Sequence, residues 1–203
     1  AALIGCCVPT GVGAVTSSAK VTPGSTVAVI GCGGVGLNVI MGAALVNASK
    51  IIAVDIRESQ LEFAMKFGAT HTVNASDKDP VAQVRELTDG KGADFTFEVF
   101  GSADTTKAAY DMAGKKGVVT IVGIAPVGAE AGINAVDMVR NEKTMRGTYY
   151  GSTHSSVEMP KLVDMYLAGK LNLDDLVVRH YSLDQINDAY GDMDKGEVGR
   201  GVI

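Results

Sequence analysis

A strand-like run, Thr26-Val27-Ala28-Val29-Ile30, leads directly into Gly31-Cys32-Gly33-Gly34-Val35-Gly36. An apolar helix-like stretch then brings the chain to a second run, Ile51-Ile52-Ala53-Val54-Asp55. A G-x-G-x-x-G pattern taken alone is weak evidence in a chain with 25 glycines. Here it leaves a strand, opens a helix, and is followed about 20 residues later by an acid at the end of another strand, which is the context a dinucleotide site requires. Gly31 allows the tight turn, Gly33 lets backbone approach a pyrophosphate, and Gly36 lets helix and strand pack closely. The free N–H groups near Gly34 and Val35, at the positive end of the helix dipole, would face the phosphates.

Asp55 can accept hydrogen bonds from two ribose hydroxyls and would repel a 2′-phosphate, so NAD(H) is expected over NADP(H). Arg57 leaves that preference open, because an arginine just past the acid can stack on adenine or meet a 2′-phosphate. The plainer alternative is a glycine-rich turn with no ligand and an acid that merely ends a strand.

The 203 residues suffice for one domain and part of another. With 46% hydrophobic residues, 5% aromatics and no tryptophan, the composition suits closely packed parallel strands under helices. A formal net charge of −5, with no basic cluster or aromatic stripe, argues against nucleic acid. No apolar run reaches membrane-span length and the opening residues do not follow the secretory-leader pattern, so no membrane association is expected. Cys6, Cys7 and Cys32 are odd in number with two adjacent, which suits reduced thiols and a cytoplasmic setting better than a disulfide framework. The chain opens at Ala1 rather than methionine and reads as a piece of a longer polypeptide.

Strand-like and helix-like runs alternate. Helices are expected at 35–47, 58–67, 79–88 and 103–113, and strands at 70–74, 93–100 and 117–123. This is the succession of an α/β doubly wound parallel sheet, the Rossmann dinucleotide-binding arrangement. After Gly123 the pattern changes: a glycine-rich loop with Pro126, a short helix at 135–141, a strand at 144–150, helices at 156–168 and 183–193, and short strands at 177–181 and 200–203. A boundary at Tyr150 is expected, dividing an NAD-binding domain at 1–150 from a C-terminal segment at 151–203. The 144–150 strand, rich in Thr and Tyr, reads as a sheet edge that a second copy would cover.

Gly5-Cys6-Cys7-Val8-Pro9-Thr10-Gly11-Val12-Gly13-Ala14 stands ahead of the fingerprint. Ala69-Thr70-His71, Phe97-Glu98-Val99 and Gly196-Glu197-Val198-Gly199-Arg200 follow it. In this order and spacing the set resembles the zinc-dependent alcohol dehydrogenases of the medium-chain dehydrogenase/reductase family, over their C-terminal, NAD-binding portion. The resemblance implies a zinc ligand at Cys6 and a residue beside the nicotinamide at Thr10. It implies a cofactor cleft lined by Phe100, Val122 and Ile124, backbone contacts to the carboxamide at Thr148 and Tyr150, and a pyrophosphate contact from Arg200. It further implies an alcohol or aldehyde substrate, zinc in the full-length protein, a homodimer or homotetramer, and a segment after Tyr150 that completes a substrate domain. Glycine is usual in that family where Cys7 stands, so the turn geometry there is open.

Taken alone, Cys6 is more readily a small buried residue than a ligand, since one thiol binds no metal; the surrounding motif reverses that order. Cys32 is assigned no chemistry. His71, His154 and His180 have no metal spacing, and Glu98, ending an apolar strand, is expected to be structural. Hydride transfer is the implied chemistry. A non-catalytic nucleotide-sensing module and a polyol or amino-alcohol dehydrogenase stay open beside it, while Cys6 argues against the zinc-free quinone reductases.

Overall fold

A computed structural model describes residues 2–196 and 199–203, so Glu197 and Val198 of the C-terminal motif lie outside the described residues. Six parallel strands make the central sheet: β1 (Thr26–Ile30), β2 (Lys50–Asp55), β3 (His71–Asn74), β4 (Ala93–Glu98), β5 (Ala113–Ile121) and β6 (Thr144–Gly147). Their spatial order is β3-β2-β1-β4-β5-β6, the doubly wound order expected from the sequence. Hydrophobic residues on successive strand positions point to opposite faces and seed two cores. Val27, Val29, Ile51 and Ala53 face one; Ala28, Ile30, Ile52 and Val54 face the other.

The first core is covered by α1 (Cys7–Gly13), α2 (Gly34–Leu45) and α3 (Glu58–Met65), the second by α4 (Pro80–Leu87) and α5 (Ala103–Met112). α2 is apolar nearly all round and contributes Leu37, Val39, Ile40, Met41 and Ala43 to the first core, as befits a helix trapped between a sheet and a second helical layer. Asp79 caps α4 with Pro80 at its first turn, and Ser102 with Thr105 forms a capping box at the start of α5. A short helix, α6 (Ala135–Arg140), precedes β6.

Beyond Tyr150 come α7 (Ser155–Leu167), β7 (Val177–His180), α8 (Ile186–Lys195) and β8 (Arg200–Val202), with β7 and β8 forming a separate parallel pair. Leu162, Leu171, Leu173 and Leu176 of this segment join the first core, so the C-terminal residues pack on the same side as α1 and α2.

β5 begins at Ala113 and ends at Ile121 where 117–123 is expected, and three further differences bear on the site. Residues 2–19, to which the sequence assigns no element, are helical: a 3-10 turn at Ala2–Gly5, then α1, then a wider π-type turn at Ala14–Ala19. A Cβ on Gly11 would stand 2.5 Å from the Asn38 Cβ, so α1 uses its glycine to lie directly against α2. β4 stops at Glu98 rather than Phe100, because the Glu98 carboxylate takes the N–H groups of Phe100 (2.9 Å) and Gly101 (2.6 Å) and curls the backbone out of the ladder. β6 stops at Gly147 because Tyr150, Gly151 and Ser152 have φ of 54°, 66° and 53°, a left-handed run that no strand contains.

Candidate functional site

The C-terminal ends of β1, β2 and β4 open into a cleft of about 670 Å³ at the point where the strand order reverses. Gly31, Gly33, Gly34, Val35 and Gly36 form its floor, and Asp55, Arg57, Phe100 and Arg200 line it as well. Gly31 turns the chain at φ 93°, and a Cβ on Gly36 would lie 1.8 Å from the Gly31 carbonyl oxygen, so only glycine permits this turn. Gly33 caps α2 without any side-chain hydrogen bond, and a Cβ there would meet no protein atom. The first N–H groups of the helix are therefore left to whatever enters the cleft.

The Arg200 side chain lies over this floor, with Nε 1.9 Å from where a Cβ on Gly34 would stand. That Nε is buried and has no hydrogen-bond partner among the described residues. A buried guanidinium donor left unpaired beside an uncapped helix N-terminus is arranged for an anion, and a pyrophosphate fits both the charge and the space. Asp55 is oriented by backbone: one carboxylate oxygen accepts the Cys32 N–H (2.8 Å), the other the Arg57 N–H (3.1 Å). Cys32, buried between the glycines, thus contributes its main chain, and burial pushes its thiol well above the ordinary range. Arg57 lines the cleft, with Nη1 bonded to the carbonyls of Lys195 (3.0 Å) and Gly196 (2.5 Å).

The remaining candidates gather along the same sheet edge, toward β5 and β6. The Val122 N–H donates to the Glu98 carbonyl (2.8 Å) and the Thr148 N–H to that of Ile121 (2.9 Å), so both residues continue from strand ends. Ile124 is 81% exposed and Phe100 70%, large apolar side chains left facing solvent. Tyr150 donates its hydroxyl to the Gly5 carbonyl, and a Cβ on Gly151 would stand 2.8 Å from the Thr10 carbonyl oxygen. The turn after β6 therefore seats directly on α1. Cys6, exposed, immediately precedes α1, and its carbonyl accepts the Thr10 N–H (3.1 Å). Cys7 is buried, and desolvation raises its thiol pKa.

Glu98 is fully buried. Its Oε1 accepts from Phe100, Gly101 and the Thr105 hydroxyl (2.8 Å), so it braces the loop that carries Phe100, as its expected structural role requires. Among the described residues no three His, Cys, Asp or Glu side chains form a metal-binding group. Cys6 alone cannot hold zinc, which takes three protein ligands at a catalytic site. Sequence reasoning did not single out Gln60, which lines the cleft and donates Nε2 to the Gly196 carbonyl (3.3 Å). Its place one helical turn beyond Arg57, on α3, was the available signal.

Residues 34–168 match the family model described as zinc-binding dehydrogenase. The class-3 alcohol dehydrogenase of Myxine glutinosa is 43% identical over 205 residues, which cover 99% of this chain and 54% of that protein. Putative alcohol dehydrogenase D of Mycobacterium tuberculosis is 37% identical over 206 residues, covering 100% and 56%. Among solved structures, benzyl alcohol dehydrogenase from Acinetobacter calcoaceticus superposes with a TM-score of 0.95 at 39% identity, over 98% of this chain and 55% of that one. The chain spans about half the length of the relatives it matches.

Proposed function

The chain belongs to the zinc-binding dehydrogenases, and on that premise we propose that it is the NAD-binding part of a zinc-dependent alcohol dehydrogenase that moves hydride between an alcohol and NAD. The observation that carries the reading is the unpaired Arg200 Nε over Gly34, within reach of the uncapped start of α2 and on the same cleft as Asp55. When bound, NAD supplies the hydride acceptor and zinc the Lewis acidity that polarises an alcohol oxygen.

This chain's own part is binding and placement. The N–H groups of Gly34 and Val35 and the Arg200 guanidinium hold the pyrophosphate, and Asp55 takes the adenosine ribose hydroxyls. Phe100, Val122 and Ile124 form the apolar flank of the nicotinamide half and keep water from it, with the backbone of Thr148 and Tyr150 and the side chain of Thr10 fixing the ring. Cys6 is this chain's ligand to zinc in the whole protein, and residues 151–203 complete the domain that carries the substrate. The three free thiols suit a reducing compartment, the cytoplasm. No helix among the described residues is long and apolar enough to cross a membrane.

On the same reading the protein is at least a homodimer, a second copy covering β6. That strand ends the sheet order and leaves one side of its backbone unpaired, with Tyr149 beyond it 84% exposed. Light scattering that finds monomers alone at micromolar concentration would remove the dimer. The functional reading is tested by Cys6→Ser in the full-length protein: zinc content and alcohol turnover should fall together while NAD affinity holds within about twofold. Full zinc occupancy and normal turnover would return Cys6 to a packing role.

A further inference from the structure

Arg57 stands two residues beyond Asp55, where a cation could serve adenine or a 2′-phosphate. Its geometry gives it another partner. Nη1 donates to the carbonyls of Lys195 (3.0 Å) and Gly196 (2.5 Å), and Gln60 Nε2 reaches the same Gly196 carbonyl at 3.3 Å. These carbonyls close α8, where a helix leaves acceptors unsatisfied and the dipole favours a cation. Gly196 ends the helix in a left-handed conformation, φ 69°, and a Cβ there would fall 1.4 Å from Arg57 Nη1. The guanidinium occupies space that only a glycine leaves. Four residues later Arg200 opens β8, with its unpaired Nε over Gly34.

We propose that Arg57 is a positioning residue: by anchoring the end of α8 to the wall beside Asp55, it holds Arg200 over the glycine turn where a pyrophosphate is met. The inference rests on the NAD-binding reading. Arg57 then sets the strength of pyrophosphate binding, which NAD and NADP share, and not the choice between them. Removal of the guanidinium frees the C-terminal end of α8, and Arg200 loses its aim without being touched.

The test is a double-mutant cycle on the protein with Arg57→Met, Arg200→Met and the pair, each titrated calorimetrically with NAD and with NADP at one salt concentration. Arg57→Met is expected to weaken NAD roughly tenfold, with the ratio of NAD to NADP affinity kept within about twofold. In the Arg200→Met background its further effect should shrink below about twofold, since no arginine is left to aim. Arg57→Lys, which keeps a donor for the same carbonyls, should recover most of the loss. Additive losses, a loss confined to NADP, no rescue by lysine, or unchanged NAD affinity would each overturn the proposal. Thermal unfolding confirms that each variant is folded, and Arg57→Gln serves in the cycle should Arg57→Met not be. A wild-type protein that binds neither dinucleotide would instead overturn the NAD reading on which the proposal stands.

Discussion

The cofactor cleft and the candidate residues outside its lining, toward β5, β6 and the start of α1, form two ends of the candidate site that are finished to different degrees. At the end beside Asp55 the glycine turn, the oriented carboxylate and the Arg200 guanidinium line one cleft, where the unpaired Arg200 Nε stands beside the uncapped start of α2. At the other end, Cys6 is exposed and Phe100 and Ile124 present apolar surface to solvent. Large apolar side chains just beyond strand ends are costly to leave wet, and they gain most from a further surface laid over them. On the proposed function the contrast separates binding from chemistry: the first end would recognise a dinucleotide with the residues in hand, whereas the second offers one thiol, Cys6, where a catalytic zinc needs three protein ligands.

The contrast breaks most visibly at the glycine turn. Gly36→Val would drive side-chain atoms into the Gly31 carbonyl, and NAD binding should disappear from a calorimetric titration. The thermal midpoint should fall by roughly 2–12 °C, as overpacking of about 1–3 kcal/mol would produce in a chain of this size. Retained NAD affinity in this variant would mean that the turn is not the floor of the site. Asp55→Asn comes next in size. Without the carboxylate's charge the preference for NAD over NADP should shrink roughly tenfold, most of it through stronger NADP binding, as competitive titration would reveal. An unchanged ratio would move the selectivity elsewhere.

The strand, glycine turn, helix, strand and acid of residues 26–55 were legible because each demand is local: a tight turn, a close approach, a helix opening and a carboxylate at a strand end. That this apolar run splits between two cores, Val27 and Val29 to one and Ala28 and Ile30 to the other, is seen in the structure, where helices cover both faces of the sheet. The helix at Cys7–Gly13 was not legible, since Pro9, Gly11 and Gly13 all disfavour a helix intrinsically. Contact with α2 decides there, and the glycines that depress propensity are what make that contact possible. The end of β4 is set by a local bond that apolar patterning does not show, the Glu98 side chain taking the N–H groups two and three residues on, and the end of β6 by a distant one, the seating of Gly151 on Pro9 and Thr10. The hold of Arg57 on Gly196 spans 139 residues and has no local signature.

A third site, outside the cleft lining, sharpens the comparison as a control. Under the sheet, Lys143 pairs with Asp137 (3.0 Å) and lies over the Tyr110 ring, while the Tyr110 hydroxyl donates to Asp137 (2.9 Å). The hydrogen bond from Lys143, then that from Tyr110, holds the Asp137 carboxyl below its ordinary range. Its stabilisation is present above the unfolded carboxyl pKa and is lost as pH falls through the folded one. Burial first, then the bond to Asp137, raises Tyr110 to about 12, so its contribution is full below its ordinary value of 10.0 and is lost as pH climbs through the folded one. Urea unfolding of Asp137→Asn should therefore show a shallower acid-side fall than the wild type, in which Asp192 is also held low, and Tyr110→Phe a shallower alkaline fall, in which Tyr166 also shares. In both variants NAD affinity at pH 7 should stay within about twofold, since neither residue lines the cleft. A larger shift would mean that this site is coupled to the cofactor end.

The central claim is that these 203 residues complete the dinucleotide end of the cleft and are selective there. Calorimetric titration of the chain with NAD and with NADP at one salt concentration tests it most directly. One NAD should bind per chain, and NADP at least about tenfold more weakly, in keeping with a carboxylate set to meet ribose hydroxyls. Equal affinities for the two, or no binding of either to the folded chain, would contradict it.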